Sequence, residues 1–342
     1  MTTAYLYSPV FLEHQEAEHP ESPDRLRRIL DVLQDTGVLP RLVALDPIPA
    51  TDAQIGAVHT PRHIERVKQL VANGGGHFDP DTYANARSLE AARLAAGALV
   101  RAVDAVMTGE VDNAFALVRP PGHHATRGHA MGFCLFNNVA IGAQHALDAH
   151  HLERVLIVDY DVHHGNGTQD IFYNTSRVLY FSTHQYPYYP GTGSWRETGD
   201  GEGAGFTANV PLPPRVGDED YLRIFEEFLL PLARRYQPQL ILVSAGYDAY
   251  WADPLAFENL SIRGYAELAR AVVEMARELC DSRVIYTLEG GYDINALGYG
   301  VAATFQVLLG DDDIPDPIGP SPRASEDLGD YIEQLRRAHH LE

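Results

Sequence analysis

Cysteine is scarce in this sequence, since Cys134 and Cys280 are the only two among 342 residues. They lie far apart, each beside apolar or loop residues, so they provide neither a disulfide framework nor a cysteine-rich zinc site. A metal ion in this protein must therefore be bound by Asp, Glu and His side chains.

Basic residues are also few: 26 Lys and Arg stand against 47 Asp and Glu, which gives a formal net charge of −21. Proteins that bind nucleic acids need clustered Lys and Arg, so we expect no nucleic-acid partner. An acidic surface would suit a cationic substrate, although such a surface more often serves solubility.

Long hydrophobic runs are missing as well. No apolar run reaches the length of a membrane span, and the start, Met1 to Leu6, lacks the basic flank and apolar core of a signal peptide. The hydrophobic fraction of 45% and the charged fraction of 21% are those of an ordinary soluble globular protein. We therefore expect a cytoplasmic protein with no membrane partner.

Strands that alternate with helices from Ala114 to Leu309 predict one α/β domain with a mainly parallel sheet. The acidic, proline-rich stretch 311–322 is a linker-like loop, because too little chain follows it to build a core. We therefore treat 1–342 as a single domain. The main predicted strands are 114–118, 155–158, 178–184 and 284–288, and the main predicted helices are 88–107, 137–149, 219–236, 262–279, 295–309 and 326–340.

One predicted strand, 155–158, ends in polar residues that alternate along the chain: Asp159, Asp161 and His163. If the chain stays extended there, the two-residue period points all three side chains toward the carboxyl edge of the sheet, where such sheets bind ligands. Two carboxylates and an imidazole in one place favour a divalent cation among them. Each residue alone would be explained as well by a helix cap or a loop histidine.

The segment 240–248 repeats this design, with an apolar strand followed by Asp248. It would complete a three-ligand set with Asp161 and His163. A histidine pair, His123 and His124, also follows a predicted strand directly, although in a chain with 16 histidines such a pair can be incidental.

Two further segments could contribute side chains to a site at the carboxyl edge of the sheet. Tyr292 follows the strand 284–288 after two glycines that free the backbone, which suggests a mobile catalytic hydroxyl, although a structural tyrosine is an alternative. The aromatic loop 186–193 is either a packed surface loop or the wall of a narrow slot for an aliphatic substrate.

Four segments together resemble motifs of the zinc-dependent histone deacetylase family. They are Arg119-Pro-Pro-Gly-His-His124, Asp159-Tyr-Asp-Val-His-His-Gly-Asn-Gly-Thr168, Ser244-Ala-Gly-Tyr-Asp248 and Leu288-Glu-Gly-Gly-Tyr292. The resemblance begins at His19 and covers nearly the whole chain. Within the family, Asn166 and the Glu289-Gly-Gly-Tyr ending make the sequence similar to the class II branch and its bacterial amidohydrolase relatives. It implies the arginase/deacetylase fold, an eight-stranded parallel sheet with helices on both faces.

The resemblance implies one zinc ion per chain, bound by Asp161, His163 and Asp248, the set that the spacing also predicts. Iron(II) or cobalt(II) would be accepted by the same ligands, because selectivity in such sites depends on geometry and supply. The resemblance also implies structural potassium ions. Their candidate residues are Asp159, Asp161, His163 and Ser182 for one site, and Phe172, Thr175 and Val178 for a second.

The resemblance further implies that His123 and His124 handle protons, with Asp159 and Asn166 as their respective hydrogen-bond partners. Because Asn166 is neutral, His124 should be the less cationic histidine and the better general base. The Tyr292 hydroxyl would polarise the acyl carbonyl and hold the oxyanion together with zinc, which activates water.

The substrate channel is implied at Gly132, Phe133, Tyr189 and Leu255. Leu255 matches a rim position where acetylpolyamine-selective relatives have an acid. We expect hydrolytic removal of acetyl or other short acyl groups from the lysine ε-amine of proteins or peptides, with acetylpolyamines and other small amides as alternative substrates. Acyl-chain preference and oligomeric state cannot be predicted from the sequence.

Two other classes of protein fit the sequence less well. A ureohydrolase of the same broad fold would bind two metals and need further carboxylates, but after Asp248 the next acid is Asp253. A binding module for acyl-lysine without turnover should have lost a histidine of the pair or Tyr292, and all of these residues are present.

Overall fold

A computed structural model describes residues 1–341, so the last residue of the predicted domain, Glu342, lies outside the described residues. Within that range the chain forms ten strands: β1 Thr3–Leu6, β2 Val43–Leu45, β3 Gly75–Asp79, β4 Thr82–Asn85, β5 Asn113–Ala116, β6 Val155–Asp159, β7 Val178–Gln185, β8 Thr207–Leu212, β9 Leu240–Ala245 and β10 Val284–Leu288.

The same range contains eleven α-helices: α1 Pro23–Asp35, α2 Asp52–Gly56, α3 Pro61–Ala72, α4 Ser88–Met107, α5 Asn138–Ala149, α6 Asn166–Phe172, α7 Asp218–Ile224, α8 Leu230–Tyr236, α9 Ile262–Leu279, α10 Ile294–Leu309 and α11 Tyr331–Ala338. Each helix in residues 1–341 is too short or too polar to cross a lipid bilayer.

Eight of the ten strands form one sheet in the order β2-β1-β5-β10-β9-β6-β7-β8, and every neighbouring pair is parallel. The central strands β6, β9 and β10 are buried along their whole length, which explains their nearly continuous Val, Ile and Leu content. β3 and β4 instead form a small antiparallel hairpin. The predicted α/β class and the eight-stranded parallel sheet are confirmed.

Helices cover both faces of this sheet. In one layer α1, α10, α9 and α7 pack one against the next, and in the other α4 packs against α3 and α5. Each amphipathic helix turns its apolar stripe inward, as α1 does with Leu26, Ile29 and Leu33. The core therefore lies on both sides of the sheet and holds its strand ends in fixed positions.

The chain does not stay extended from Asp159 to His163, so the condition for side-chain alternation along this segment is not met. β6 ends at Asp159, and residues 161–163 form a bend that leads into α6. The backbone N–H of Asp161 donates to Asp159 Oδ1 at 3.2 Å, a local turn contact that an extended strand would not make. The side chains of this segment therefore meet through a turn and not through strand alternation.

Two predicted helices also differ from the structure. The segment 219–236 is not one α-helix, because a π-helical turn, Phe225–Leu229, separates α7 from α8. Pro231 lacks an N–H and would clash with the preceding turn of a regular helix, so the wider turn relieves the conflict. The predicted helix 326–340 begins only at α11, since Gly329 just before it has a left-handed φ of 49°.

Candidate active site

Most of the predicted catalytic and metal-binding residues lie at the ends of β5, β6, β9 and β10 or on the segments that follow them, and Tyr189 follows β7. Asp159, the last residue of β6, lies beside Ser182 of β7 and Ser244 of β9 in the strand register. The parallel arrangement therefore brings together segments that are more than a hundred residues apart in sequence.

Asp161, His163 and Asp248 form a compact group, in which one ligand atom from each residue lies within 4.8 Å of the others. His163 Nδ1 lies 3.1 Å from Asp161 Oδ1 and 3.2 Å from Asp248 Oδ2. All three residues are nearly or fully buried. The structure thus brings together the three residues that the sequence predicts as metal ligands.

Backbone groups orient the two carboxylates. The N–H of Gly290 donates to Asp161 Oδ2 at 2.8 Å, and the N–H of Val162 donates to Asp248 Oδ1 at 3.1 Å. A Cβ atom on Gly290 would lie only 2.0 Å from Asp248 Oδ2, so this position requires glycine for close approach. The glycines before Tyr292 therefore have a packing role that the sequence did not indicate.

The residues of this group fit a divalent cation. Asp248 Oδ2 is buried and makes no well-aligned hydrogen bond among residues 1–341, although His163 Nδ1 lies 3.2 Å away. A buried carboxylate oxygen without a partner is costly, and two carboxylates with one imidazole are a donor set that zinc accepts. A cation bound to Asp161, His163 and Asp248 would satisfy this oxygen.

His123 is paired with an anion. Its Nδ1 lies 3.1 Å from Asp159 Oδ2, which also accepts a hydrogen bond from the Tyr180 hydroxyl at 3.0 Å. Burial disfavours the charged imidazolium, but the carboxylates of Asp159 and Asp161 outweigh it and raise the pKa of His123 to about 10. A cation bound at Asp161 would offset part of this effect.

His124 has a neutral partner instead, because its Nδ1 lies 2.8 Å from Asn166 Oδ1. Burial and the positive charges of His123 and His163 lower the pKa of His124 well below its ordinary value. The adjacent histidines therefore differ in charge, and His124 is the one that can accept a proton.

The histidine loop is held by Glu289, a residue to which the sequence analysis gave no role. Its Oε2 accepts from the backbone N–H of Gly122 at 2.7 Å and of His123 at 3.2 Å, while its Oε1 accepts from the Ser244 hydroxyl at 3.0 Å. The position of Glu289 directly after a buried strand could have indicated a structural role, since a fully buried glutamate needs hydrogen-bond partners.

A cavity of about 460 Å³ opens above these groups. It is lined by His19, Pro20, Pro80, Asp81, Pro121, His123, His124, Gly132, Phe133, His163, Tyr188, Tyr189, Leu255, Gly290 and Tyr292. All four predicted channel residues are among them. A larger cavity of about 860 Å³ lies elsewhere, against residues 153–154 and 338–340, and none of the predicted site residues lines it.

Gly132 and Tyr189 both contact His124. A Cβ atom on Gly132 would lie 2.3 Å from the His124 ring, and the Tyr189 ring stands edge-on to it with centroids 5.1 Å apart. Tyr188 belongs to the aromatic loop that was predicted as a possible wall, and its hydroxyl donates to the Leu255 carbonyl at 3.0 Å. The aromatic loop therefore forms a wall of the cavity.

Asp253 fixes the backbone on both sides of the cavity. Its Oδ2 accepts from the N–H of Tyr292 at 2.7 Å and of Asp293 at 3.1 Å, while its Oδ1 accepts from the N–H of Leu255 at 2.9 Å. The Asp253-Pro254 pair was a turn signal in the sequence, but it did not show which distant segment the carboxylate would hold.

Arg25 of α1 also supports the tyrosine. Its guanidinium donates to the Gly291 carbonyl at 2.7 Å and the Glu289 carbonyl at 2.6 Å, and lies 5.2 Å from the centre of the Tyr292 ring. Arg25 also pairs with Glu21 at 3.1 Å, and Glu21 is the carboxylate that binds the buried Arg119. Helix α1 is thus tied to the loop that carries Tyr292.

Of the residues implied for potassium, Asp161 and His163 belong to this cluster, and the others lie on β6, α6, β7 and the connection between α6 and β7. Ser182 sits beside Asp159 in the sheet, Phe172 ends α6, and Val178 begins β7, with Thr175 in the short connection between them. These positions are compatible with backbone carbonyl ligands, and potassium binding remains a prediction.

A buried group of two carboxylates and an imidazole at the end of a narrow cavity, with a histidine pair and a tyrosine beside it, defines an α/β enzyme with a candidate metal centre. The profile of the histone deacetylase domain family matches residues 19–308. The chain therefore belongs to the histone deacetylase family, and it is an enzyme of the deacetylase class.

Individual relatives agree with this assignment. A probable deacetylase of Archaeoglobus fulgidus is 42% identical over 316 residues, which cover 91% of this chain and 88% of the relative. The human polyamine deacetylase HDAC10 is 41% identical over 323 residues, covering 90% of this chain but only 48% of the relative. The crystal structure of the HDA15 HD domain superposes with a TM-score of 0.90 at 39% identity, covering 99% of this chain and 94% of that one.

Replacement of Asp253 should disturb the position of Tyr292 without removing a metal ligand. We expect Asp253→Ala to lower kcat by about 10–100-fold, because small misplacements of a reacting group have effects of this size. Asp253→Asn should lower kcat less, since the oxygen of its side-chain amide still accepts hydrogen bonds. Steady-state kinetics and elemental analysis measure both effects, and the exposed Asp313→Ala is the control. Unchanged turnover in Asp253→Ala would contradict this role.

Proposed function

We propose that this protein is a zinc-dependent amidohydrolase that removes acetyl or other short acyl groups from the lysine ε-amine of proteins or peptides. The observation that carries the proposal is the buried group of Asp161, His163 and Asp248 at the floor of a narrow cavity, beside His124 and Tyr292. Amide hydrolysis needs an activated water, a proton acceptor and a donor for the oxyanion, and this cluster offers groups for all three.

Asp161, His163 and Asp248 would hold a single catalytic zinc ion. When bound, zinc would polarise the acyl carbonyl and lower the pKa of a water molecule to about 7. The proposal extends to a single catalytic domain over residues 1–342, structural potassium, and a location in the cytoplasm.

The two histidines would divide the proton transfers. His124, whose pKa is lowered and whose partner Asn166 is neutral, would take the proton of the attacking water. His123, whose pKa the adjacent Asp159 carboxylate raises, would be cationic and would stabilise the developing negative charge. The proton accepted by the pair would then pass to the departing amine, from His124 or His123.

Tyr292 would donate a hydrogen bond to the tetrahedral oxyanion. Burial and the negative charge of Asp248 raise the pKa of its hydroxyl well above the ordinary value, so the group stays protonated and remains a donor. One well-placed donor of this kind lowers the barrier by about 3 kcal/mol. All groups required for turnover are thus present, which argues against a binding module without activity.

The cavity walls favour an acylated aliphatic amine. Phe133 and Tyr189 present aromatic surface along the route to His124, as suits the methylene chain of a lysine. At the rim Leu255 is apolar, which argues mildly against acetylated polyamines, while Asp81 in the same cavity would attract a cationic substrate of either kind. Because one relative is named a polyamine deacetylase, acetylated polyamines are the alternative substrate class.

Tyr292→Phe should lower kcat by about 100–1000-fold, as expected for loss of one oxyanion donor, while the zinc content stays unchanged. Tyr188→Phe is the matched control, because that hydroxyl faces the Leu255 carbonyl and should have a much smaller effect. Full turnover in Tyr292→Phe would refute the oxyanion role.

Asp161→Ala should lose bound zinc, because it removes one of the three proposed ligands. Elemental analysis measures this loss.

Asn166→Asp should move the acidic limb of the kcat/KM profile to higher pH. A carboxylate beside Nδ1 favours the imidazolium, raises the pKa of His124, and leaves less of the neutral base at a given pH. A series of rate measurements across pH checks this shift. The exposed Asn174→Asp adds the same charge outside the site and should leave the profile in place; an unshifted limb in Asn166→Asp would count against His124 as the base.

The function itself is tested with a panel of acyl-lysine peptides and acetylated polyamines, using enzyme loaded with zinc. We expect acetate release to be fastest from the peptides, and Leu255→Glu to shift kcat/KM toward the polyamines because it adds an anion at the rim. Leu255→Gln is the control, because glutamine has nearly the size and shape of glutamate but carries no charge. No acetate release from any member of the panel would overturn the proposal.

A further inference from the structure

A second group of metal-ligating side chains lies outside the candidate active site. Asp104 of α4 faces His145 of α5 and His150, the C-cap residue that follows α5. The Nε2 atoms of both histidines lie 2.8 Å from the same carboxylate oxygen, Asp104 Oδ1, and one ligand atom from each of the three residues lies within 4.8 Å of the others.

The helices that carry this group are held rigidly. α4 and α5 pack closely along their lengths, and a Cβ atom on Gly142 would lie only 3.1 Å from the Leu99 side chain. Both helices end near the group and lead into β5 and β6, so the group lies at the amino edge of the sheet. Asp161 and His163 instead follow the carboxyl end of β6, so the two groups lie at opposite edges of the sheet.

We propose that Asp104, His145 and His150 bind a divalent transition-metal ion, with zinc as the best match, and that this ion ties α4 to α5. Two imidazole nitrogens and a carboxylate oxygen are typical zinc ligands, whereas magnesium prefers oxygen ligands alone. The side chains keep 15% exposure at His145, 19% at His150 and 44% at Asp104, which leaves a path for the ion and a position for solvent.

The structural role of such an ion differs from that of the active-site metal. It would join α4 and α5 by coordination and would replace the two hydrogen bonds that now converge on one Asp104 oxygen. Binding to the folded state alone raises the stability of that state by mass action. The proposal is independent of the deacetylase function, because none of its ligands lines the cavity above the catalytic cluster.

The first test counts bound zinc after dialysis against a competing chelator, with Zn²⁺ alone as the probe. The unchanged chain should hold two equivalents, Asp161→Ala/Asp248→Ala one, and His145→Ala one. Loss of one ligand should weaken the second site by more than about 100-fold, since the loss of hydrogen-bond partners outside a coordination shell already weakens metal binding about 10–100-fold. Mg²⁺ in excess should not compete.

The second test separates a defined site from loose surface binding. Zinc should raise Tm in the Asp161→Ala/Asp248→Ala variant by a few degrees, and adding His150→Ala should abolish the rise, while adding the exposed His151→Ala should not. Turnover of the otherwise unchanged chain should be unaffected by His145→Ala. No zinc bound to the Asp161→Ala/Asp248→Ala variant, or two equivalents in both His145→Ala and His150→Ala, would overturn the proposal.

Discussion

Buried negative charge at one edge of the sheet is the constraint on which the site depends. Asp159, Asp161, Asp248 and Glu289 are all fully or almost fully buried at the carboxyl ends of three neighbouring strands. Burying carboxylates is costly unless donors or cations surround them, and backbone N–H groups supply only part of the compensation. His123 and His163 lie beside these carboxylates and supply more, and a cation held by Asp161, His163 and Asp248 would complete it.

The same constraint explains why two adjacent histidines can behave differently. His123 is placed against an anion and His124 against an amide, so one ring is held cationic and the other neutral at a separation of 4.0 Å between ring centres. The charged ring also disfavours protonation of its neighbour. An acid and a base can thus coexist in a small volume because their outer partners differ in charge.

The sequence predicted the residues that end strands, because an apolar run followed by a polar side chain can be recognised locally. It therefore predicted Asp161, His163 and Asp248, but not the turn after Asp159, since alternating residues are compatible with either conformation. The roles of Asp253, Glu289 and Arg25 could not be predicted, because each depends on hydrogen bonds to a backbone segment from another part of the chain. The π-helical turn before Pro231 was missed because the apolar spacing alone resembles one continuous helix.

The position of β10 in the sheet has a consequence for biosynthesis. This strand lies between β5 and β9, although it is the last of the sheet strands in the chain. Until residues 284–288 leave the ribosome, the nascent protein can form only two partial sheets, β2-β1-β5 and β9-β6-β7-β8, each with an open inner edge. Such edges can pair with other chains, so this protein is most exposed to aggregation late in translation, before its final strand joins the two halves.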